Sequence, residues 1–453
     1  MYRNISRSLY WSAALLVLFL QACDGGESVM TEEAQVNMEL TLRLDTLGGA
    51  QGIRAFMLPN PSQLDRIPQD PRNPLSADKV TLGKHLFHET GLGVVPADST
   101  GIFSYSCASC HHMDAGFQAG RQQGLGEGGQ GFGLAGEGRT LRGDYDPDDV
   151  DVQPLRSPTA LNVAYQTNML WNGQFGATGV NAGTEAQWTP GTPKAVNNRG
   201  FEGVETQAIA GLGVHRQGVN EALLNVGQYK EWFDKAFYES QPSQRVNLTN
   251  IALAIAAYER TLLPTESPFQ RWLSGDQDAM TLDQKKGALL FFEKGNCGTC
   301  HKGPALNEMA FYAYGMNDME GNGTIRASSD LGANLGRGGF TQNTEDNYKF
   351  KVPQLYNLKD SPFYGHGGTF QSIRDVVAYK NQGMPENPNV PTEQLASQFA
   401  PLNLTDEEID LITLFIEDGL YDDNLGRYLP ESLPSGNCFP NADVQSKSDL
   451  GCN

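Results

Sequence analysis

The sequence is poor in basic residues, with 33 Lys and Arg against 53 Asp and Glu and a formal net charge of −20 at pH 7. This excess of acid argues against nucleic acid and anionic membrane surfaces as partners, because like charges repel, and it suits a basic protein partner. After the N-terminus, no apolar run is long enough to span a bilayer. The 453 residues are too many for one compact domain and predict two or three.

The N-terminus is typical of an export signal. Arg3 and Arg7 make a basic start, an apolar run follows, and Leu20-Gln21-Ala22-Cys23 resembles a bacterial lipobox. We therefore expect residues 1–22 to be a lipoprotein-type signal peptide, and Cys23 to be acylated after cleavage. Gln21 is not the usual small residue, so a plain cleaved signal peptide is the alternative. Either case predicts a periplasmic protein, and the lipobox adds a lipid anchor.

Cysteine is scarce, and its placement is informative. Of seven cysteines, four lie in two C-x-x-C-H motifs, Cys107-Ala108-Ser109-Cys110-His111 and Cys297-Gly298-Thr299-Cys300-His301. C-x-x-C-H is the attachment signature of c-type haem: two thiols bond the vinyl groups, and the histidine is the proximal iron ligand. The sequence therefore predicts two covalently bound haem c groups.

Two other uses of these cysteines have to be weighed. A redox dithiol needs no histidine after the pair, and a zinc site would require the two pairs to converge and would leave both histidines unexplained. Cys438 and Cys452 remain near the C-terminus, where an oxidising compartment would let them pair and fix the tail.

Apolar periodicity predicts a mainly α fold. Helices are expected before each haem motif, over Val80–Phe87 and Leu282–Phe292, and after Asn250, and Thr405 is expected to cap a further helix. This pattern predicts two tandem cytochrome c-like helical domains with long irregular loops. The expected divisions are a polar segment over 23–75, an N-terminal haem domain over 76–245, a C-terminal haem domain over 246–425 and a tail over 426–453. The acidic run from Asp144 to Asp151 is expected to be a solvated loop rather than a calcium site.

A series of short motifs carries a family resemblance over most of the chain. In order they are Leu82-Gly83-Lys84-His85-Leu86-Phe87, Pro158-Thr159-Ala160-Leu161-Asn162, Leu170-Trp171-Asn172-Gly173, Ala254-Ile255-Ala256-Ala257-Tyr258-Glu259-Arg260 and Tyr364-Gly365-His366-Gly367-Gly368. With the two haem motifs, they resemble the dihaem cytochrome c peroxidase and MauG superfamily. The tail from Leu433 to Cys452 is similar to the branch of MbnH-type enzymes.

The resemblance implies that the N-terminal haem reacts with hydrogen peroxide, with His111 as its proximal ligand. Glu205-Thr206-Gln207-Ala208 fits the family's distal glutamine motif, which makes Gln207 the distal amide. The family's distal glutamate is missing. His215 is the candidate acid–base group in its place, with Arg216 to stabilise the leaving hydroxide, although a structural histidine at a helix end is the alternative. No histidine lies between His112 and His215, which predicts an open distal side.

The C-terminal haem is expected to be six-coordinate and to transfer electrons, with His301 as proximal ligand. The family's second ligand is Met or Tyr; here the position falls on Lys380, with Tyr379 and Met384 beside it, and the sequence does not choose among them. Trp171 matches a tryptophan that relays electrons between the haems, although a core role is the alternative. A calcium ion commonly bridges the domains in this family, but Arg156 stands where a ligating asparagine is expected.

Three functions follow, from two different classes. The first is peroxide reduction with electrons from a small c-type cytochrome or another one-electron donor. The second is MauG-like or MbnH-like oxidation of a side chain, such as tryptophan, on a small exported partner protein. The third is a non-enzymatic dihaem electron carrier, which predicts two six-coordinate haems and no reaction with peroxide.

Overall fold

The computed structural model describes residues 30–321, 323–327 and 331–452. The predicted signal peptide over 1–22 and the predicted acylation site at Cys23 lie outside these residues. Within them, no helix combines the length and apolar character that crossing a membrane requires.

The described chain is mainly helical, as predicted. Its α-helices are α1 Glu32–Gly48, α2 Ala77–His88, α3 Gly203–Val214, α4 Glu221–Leu224, α5 Gly227–Ala236, α6 Leu248–Glu259, α7 Pro268–Leu273, α8 Leu282–Phe292, α9 Leu331–Asn334, α10 Arg337–Thr341, α11 Ile373–Gln382, α12 Asp406–Leu414 and α13 Val444–Asp449. Two small antiparallel sheets pair β1 Gly129–Gln130 with β2 Thr140–Leu141, and β3 Glu308–Tyr312 with β4 Phe350–Val352. Long loops join these elements.

Two hydrophobic cores divide the molecule. The first is built from α2, α3, α5 and α6, and the second from α1, α7, α8, α11 and α12. Because α6 packs along α2 and α3, the first core extends to Leu262, beyond the boundary at 245/246 that the sequence predicted. The apolar helix after Asn250 was recognised, but nothing in its sequence shows on which side of the boundary it packs.

The segment over 23–75 is more than a polar lead-in. Helix α1 buries Leu40 and Leu44 completely in the second core. The Arg43 guanidinium donates to the Phe292 carbonyl at 2.7 Å, at the end of the helix before the second haem motif. Each turn of α1 contributes only one buried apolar residue, so the hydrophobic periodicity was too weak to predict a core helix from the sequence.

Each core is organised by a close helix crossing. A Cβ on Gly83 of α2 would lie 1.8 Å from the Ala254 carbonyl oxygen of α6, and one on Gly287 of α8 would lie 1.9 Å from that of Leu411 of α12. In both cases the helix that precedes a haem motif crosses a later helix at a glycine. The two domains thus repeat one arrangement, which fixes where each haem motif emerges.

The C-terminal tail packs against the first domain. Cys438 and Cys452 form a disulfide that closes the tail around α13. The buried Arg139 pairs with Asp443 at 3.2 Å, and an Asp449 carboxylate oxygen accepts from the Phe132 amide at 2.7 Å. The tail therefore contacts the loop that follows the first haem motif.

Candidate haem sites

The first C-x-x-C-H motif follows α2 and begins with a tight 3₁₀ turn at Cys107–Ser109. The hydroxyls of Ser106 and Ser109 donate to the Pro440 carbonyl of the tail, at 2.9 and 3.3 Å. His111 Nδ1 lies 3.4 Å from the Phe117 carbonyl oxygen. A donor hydrogen on Nδ1 leaves Nε2 as the free ligating nitrogen, as a proximal haem ligand requires.

Gln207 and Gly211 of α3 and His215, the residue that caps the C-terminus of this helix, are spaced four residues apart. A side chain at Gly211 would approach the Gln207 amide nitrogen at 3.2 Å. The absence of a side chain at Gly211 therefore leaves room beside the Gln207 amide. His215 lies close enough to His111 for its charge to lower the pKa of His111, after the larger effect of burial.

His215 is held by a buried carboxylate. Its Nδ1 lies 2.9 and 3.0 Å from the two oxygens of Asp151, whose side chain is only 7% exposed. Burial lowers the pKa of His215, but the Asp151 charge and hydrogen bond outweigh it and hold the pKa above its ordinary value. Because a carboxylate only accepts, the proton sits on Nδ1 and Nε2 is left to exchange a proton.

The acidic run is therefore solvated only in part. Asp144, Asp146, Asp148 and Asp149 are exposed, but Asp151 is buried and serves His215. The apolar residues Val150 and Val152 on either side of Asp151 could have predicted its burial from the sequence, because they interrupt the run of acidic residues where the chain enters the interior.

Arg216 is already engaged. Its guanidinium pairs with Glu127, which is fully buried, and donates to the Asp149 carbonyl at 2.7 Å. Its own carbonyl accepts from the Tyr105 hydroxyl at 2.7 Å. These bonds tie the end of α3 to the loops that carry Glu127 and Asp151, and the sequence did not reveal this role.

The second C-x-x-C-H motif follows α8 and opens into a cavity of about 300 Å³. His301 Nδ1 lies 2.9 Å from the Leu306 carbonyl oxygen, which again leaves Nε2 free to ligate. Cys297, Cys300 and His301 form one side of the cavity, together with Tyr312 and Tyr314. Cys300 lies close enough to both tyrosines to raise the pKa of their hydroxyls, after the larger effect of burial.

The three candidate second ligands occupy different environments. Lys380 lines the cavity. Tyr379 faces a side cluster with Phe370 and Phe399, and its hydroxyl donates to the Tyr314 carbonyl at 2.5 Å. Met384 is 63% exposed at the end of α11. Neither Tyr379 nor Met384 is among the residues that line the cavity.

Trp171 contacts residues of both domains. Its ring lines the cavity of the second motif, and its Nε1 donates to the Arg156 carbonyl at 2.9 Å. The same cavity extends to Gln118, which follows Phe117, the residue whose carbonyl oxygen accepts from His111. A tryptophan at this position is in contact with both domains.

The arrangement fits two haem groups better than the alternatives. Burial raises the pKa values of Cys107, Cys110 and Cys297 to about 12, whereas a reactive dithiol needs a lowered pKa. The described residues hold no group of three or more His, Cys, Asp or Glu side chains gathered as for a zinc ion. Each motif instead offers two free thiols beside one imidazole with its Nε2 available.

Comparison with known proteins agrees with this geometry. Residues 77–278 match the di-haem cytochrome c peroxidase family model. The methylamine utilization protein MauG of Methylorubrum extorquens is 27% identical over 355 residues, 78% of this chain and 81% of that protein. The cytochrome c551 peroxidase of Pseudomonas aeruginosa is 26% identical over 362 residues, 80% of this chain and 83% of that protein.

Two further relatives extend the comparison. The cytochrome c peroxidase Ccp of Escherichia coli is 30% identical over 311 residues, 69% of this chain and 54% of that longer protein. The crystal structure of a MauG-like protein associated with microbial copper homeostasis superposes with a TM-score of 0.53 at 21% identity, covering 81% of this chain and 95% of that one, which supports the fold. The family model thus covers residues 77–278, and over about four fifths of its length the chain is similar to MauG and to cytochrome c peroxidases, which indicates a peroxidase-type oxidoreductase with two haem groups.

Proposed function

We propose that the chain reduces hydrogen peroxide at a c-type haem held by Cys107, Cys110 and His111, with His215 as the acid–base group. The observation that carries this proposal is the pairing of His215 with the buried Asp151, at the end of a helix face shared with Gln207. A structural histidine at a helix end has no need of a buried carboxylate, whereas a proton-transfer histidine needs one to fix its tautomer.

The protein supplies orientation and proton transfer. When bound, the haem iron supplies the site where peroxide binds and is reduced. Nε2 of His215 would take a proton from one peroxide oxygen and return it to the other. With two electrons supplied through the haems and two protons from solvent, the O–O bond breaks and two waters form. Asp151 is a positioning residue, and the Gln207 amide donates a hydrogen bond toward the peroxide. Since Arg216 is neutralised by Glu127, we assign it to holding this loop rather than to the leaving hydroxide.

The second haem, held by Cys297, Cys300 and His301, would pass or store the second electron. Trp171 relays electrons between the two, and a small c-type cytochrome is the proposed donor, because the chain carries a net charge of −20 and donors of this kind are often basic. Covalent attachment keeps both haems on an exported protein, so we place the chain in the periplasm, anchored through Cys23.

The test adds one equivalent of hydrogen peroxide to the fully oxidised holoprotein and follows absorption and EPR. Prompt loss of a high-spin ferric signal is expected. Replacing His215 by alanine should slow this step by about 10²–10⁴-fold, and Asp151→Asn by about 10–100-fold. A His85→Phe control, at a histidine whose ring centroid lies 4.3 Å from that of Trp232, should react normally. If peroxide reacts only after one haem has been reduced, the first haem does not have an open distal side. If peroxide reacts in neither state, the non-enzymatic electron carrier is the function that fits.

A second candidate function is oxidation of a side chain on a small exported partner protein. It is favoured by the tail, whose sequence resembles the MbnH-type branch and whose Pro440 carbonyl accepts hydrogen bonds from Ser106 and Ser109 of the first haem motif. Peroxide consumption without any cytochrome donor, coupled to oxidation of an added partner, would favour this function over the first.

A further inference from the structure

The cavity of the second haem motif is lined by a half-buried lysine whose amine nothing described so far uses. Lys380 lies on α11, and Ile373, Val376 and Val377 of the same helix line the cavity beside it. These positions are three, four and seven residues apart, so they share one helix face. Tyr379 is about 100° around the helix and points to a different cluster.

The Lys380 amine has none of the carboxylate or hydrogen-bond partners that a lysine withdrawn from bulk water normally needs. Within the described ranges, its Nζ has neither a carboxylate nor a hydrogen-bond acceptor, and it lies over the Tyr314 ring, 2.9 Å from the centroid. Removing an ammonium group from water without a partner is costly. Burial accordingly lowers the pKa of Lys380 to about 7.

A second lysine in the same cavity shows what a structural role looks like. Lys351 also lines the cavity and is 6% exposed, but its Nζ donates to the Gln166 side chain and to the Asn168 carbonyl, the latter at 2.7 Å. Lys351 is thus satisfied by the protein, whereas Lys380 is not. This contrast indicates that the Lys380 amine binds a group that enters the cavity.

The neighbours of Lys380 identify that group. Its charge acts on the pKa of His301, after burial and the Leu306 hydrogen bond, and the cysteines of the motif act in turn on Lys380. The amine therefore faces the same space as the thiols and imidazole that would hold the haem. A neutral primary amine is a good ligand for ferric iron at the position opposite an imidazole.

We propose that Lys380 Nζ is the second axial ligand of the haem held by Cys297, Cys300 and His301. The ligand forms when the ammonium group releases its proton to solvent and the nitrogen lone pair binds the iron. Relative to the thioether of methionine, which raises the potential, a nitrogen donor lowers it. Given the proposed function, this haem would then favour the ferric state and be suited to share oxidising equivalents rather than only to donate electrons.

Ligand-sensitive spectroscopy of the ferric holoprotein tests this proposal without peroxide. Near-infrared magnetic circular dichroism and EPR distinguish amine, thioether and phenolate ligands, and a His215→Ala background removes the imidazole proposed for the first haem. The low-spin haem should show imidazole–amine ligation. Lys380→Ala should abolish its low-spin signal, and Lys380→Met should convert it to the thioether type with a higher reduction potential.

Matched variants cover the rival ligands. Tyr379→Phe, Met384→Leu and Tyr314→Phe should leave the low-spin signal unchanged. A thioether or tyrosinate signature in the unsubstituted protein, or a low-spin signal that survives Lys380→Ala, would overturn the assignment, even if the variants fold poorly. A haem count by pyridine haemochrome separates this failure from loss of the haem, and a normal peroxide reaction alongside it would leave the proposed function standing.

Discussion

Replacement of Arg156 by methionine should destabilise the junction between the two domains. The Arg156 side chain is 3% exposed, and its guanidinium donates to the carbonyls of Arg121, Gln122 and Ala119, to Gln118 Oε1 and to Ser361 Oγ. The first four acceptors belong to the first domain, and the last belongs to the second. Arg156 therefore joins oxygens of both domains through one positive charge, at the position where the resemblance led us to consider a calcium ligand.

The size of the effect follows from these bonds. Methionine keeps much of the side-chain volume but leaves up to five acceptors without their donor. Each buried acceptor left unsatisfied costs about 1–3 kcal/mol. Burial of the guanidinium is itself unfavourable, since it lowers the pKa of Arg156 to about 9, and methionine avoids that cost. A net loss of about 3–5 kcal/mol is expected, as for other broken buried charge networks. For domains of this size that corresponds to a fall in Tm of roughly 10 °C.

The assay is thermal and urea unfolding of the oxidised holoprotein, with and without EDTA. Arg374→Met is the matched control, since Arg374 pairs with Asp406 and Asp410 on the surface, where losing an ion pair should leave the melting temperature nearly unchanged. EDTA should leave the melting temperature of the unsubstituted protein unchanged. The reasoning is refuted if Arg156→Met behaves like the control, or if EDTA alone destabilises the protein as much as the substitution does.

Three further predictions concern other parts of the molecule. Gly83→Ala should destabilise the first domain by about 1–3 kcal/mol in urea unfolding, because its Cβ would clash with α6, whereas Gly213→Ala, with open space around it, should be neutral or slightly stabilising. Burial raises the pKa of Asp443, but Arg139 and Ser446 outweigh it and hold the pKa below 3.8. The docked tail should therefore be fully stable above pH 3.8 and lose stability as the pH falls below that value, where proteolysis of the tail should accelerate. Asp443→Asn should remove this pH dependence. Trp171→Phe should leave both haems bound but slow electron transfer between them in stopped-flow experiments; an unchanged rate would argue for a core role.

The sequence alone determined the features that depend on local chemistry. Two C-x-x-C-H motifs predict the haem thiols and proximal histidines without any structure, because thiol, thiol and imidazole must be adjacent in the chain to attach one haem. Helices such as Leu282–Phe292 and the cap at Thr405 were also predictable, since hydrophobic period and capping are local. Together with the short motifs, these features were sufficient to predict the resemblance that the comparisons found.

Tertiary structure decided what depends on residues that are distant in the sequence. Asp151 is 64 positions from His215 in the sequence, and Arg156 is 205 positions from Ser361, so no local sequence pattern predicts either pairing. Lys380, Tyr379 and Met384 could not be distinguished by counting residues. Only the packing of α11 shows which of them enters the cavity, because a shift of one residue turns a side chain by 100° around the helix.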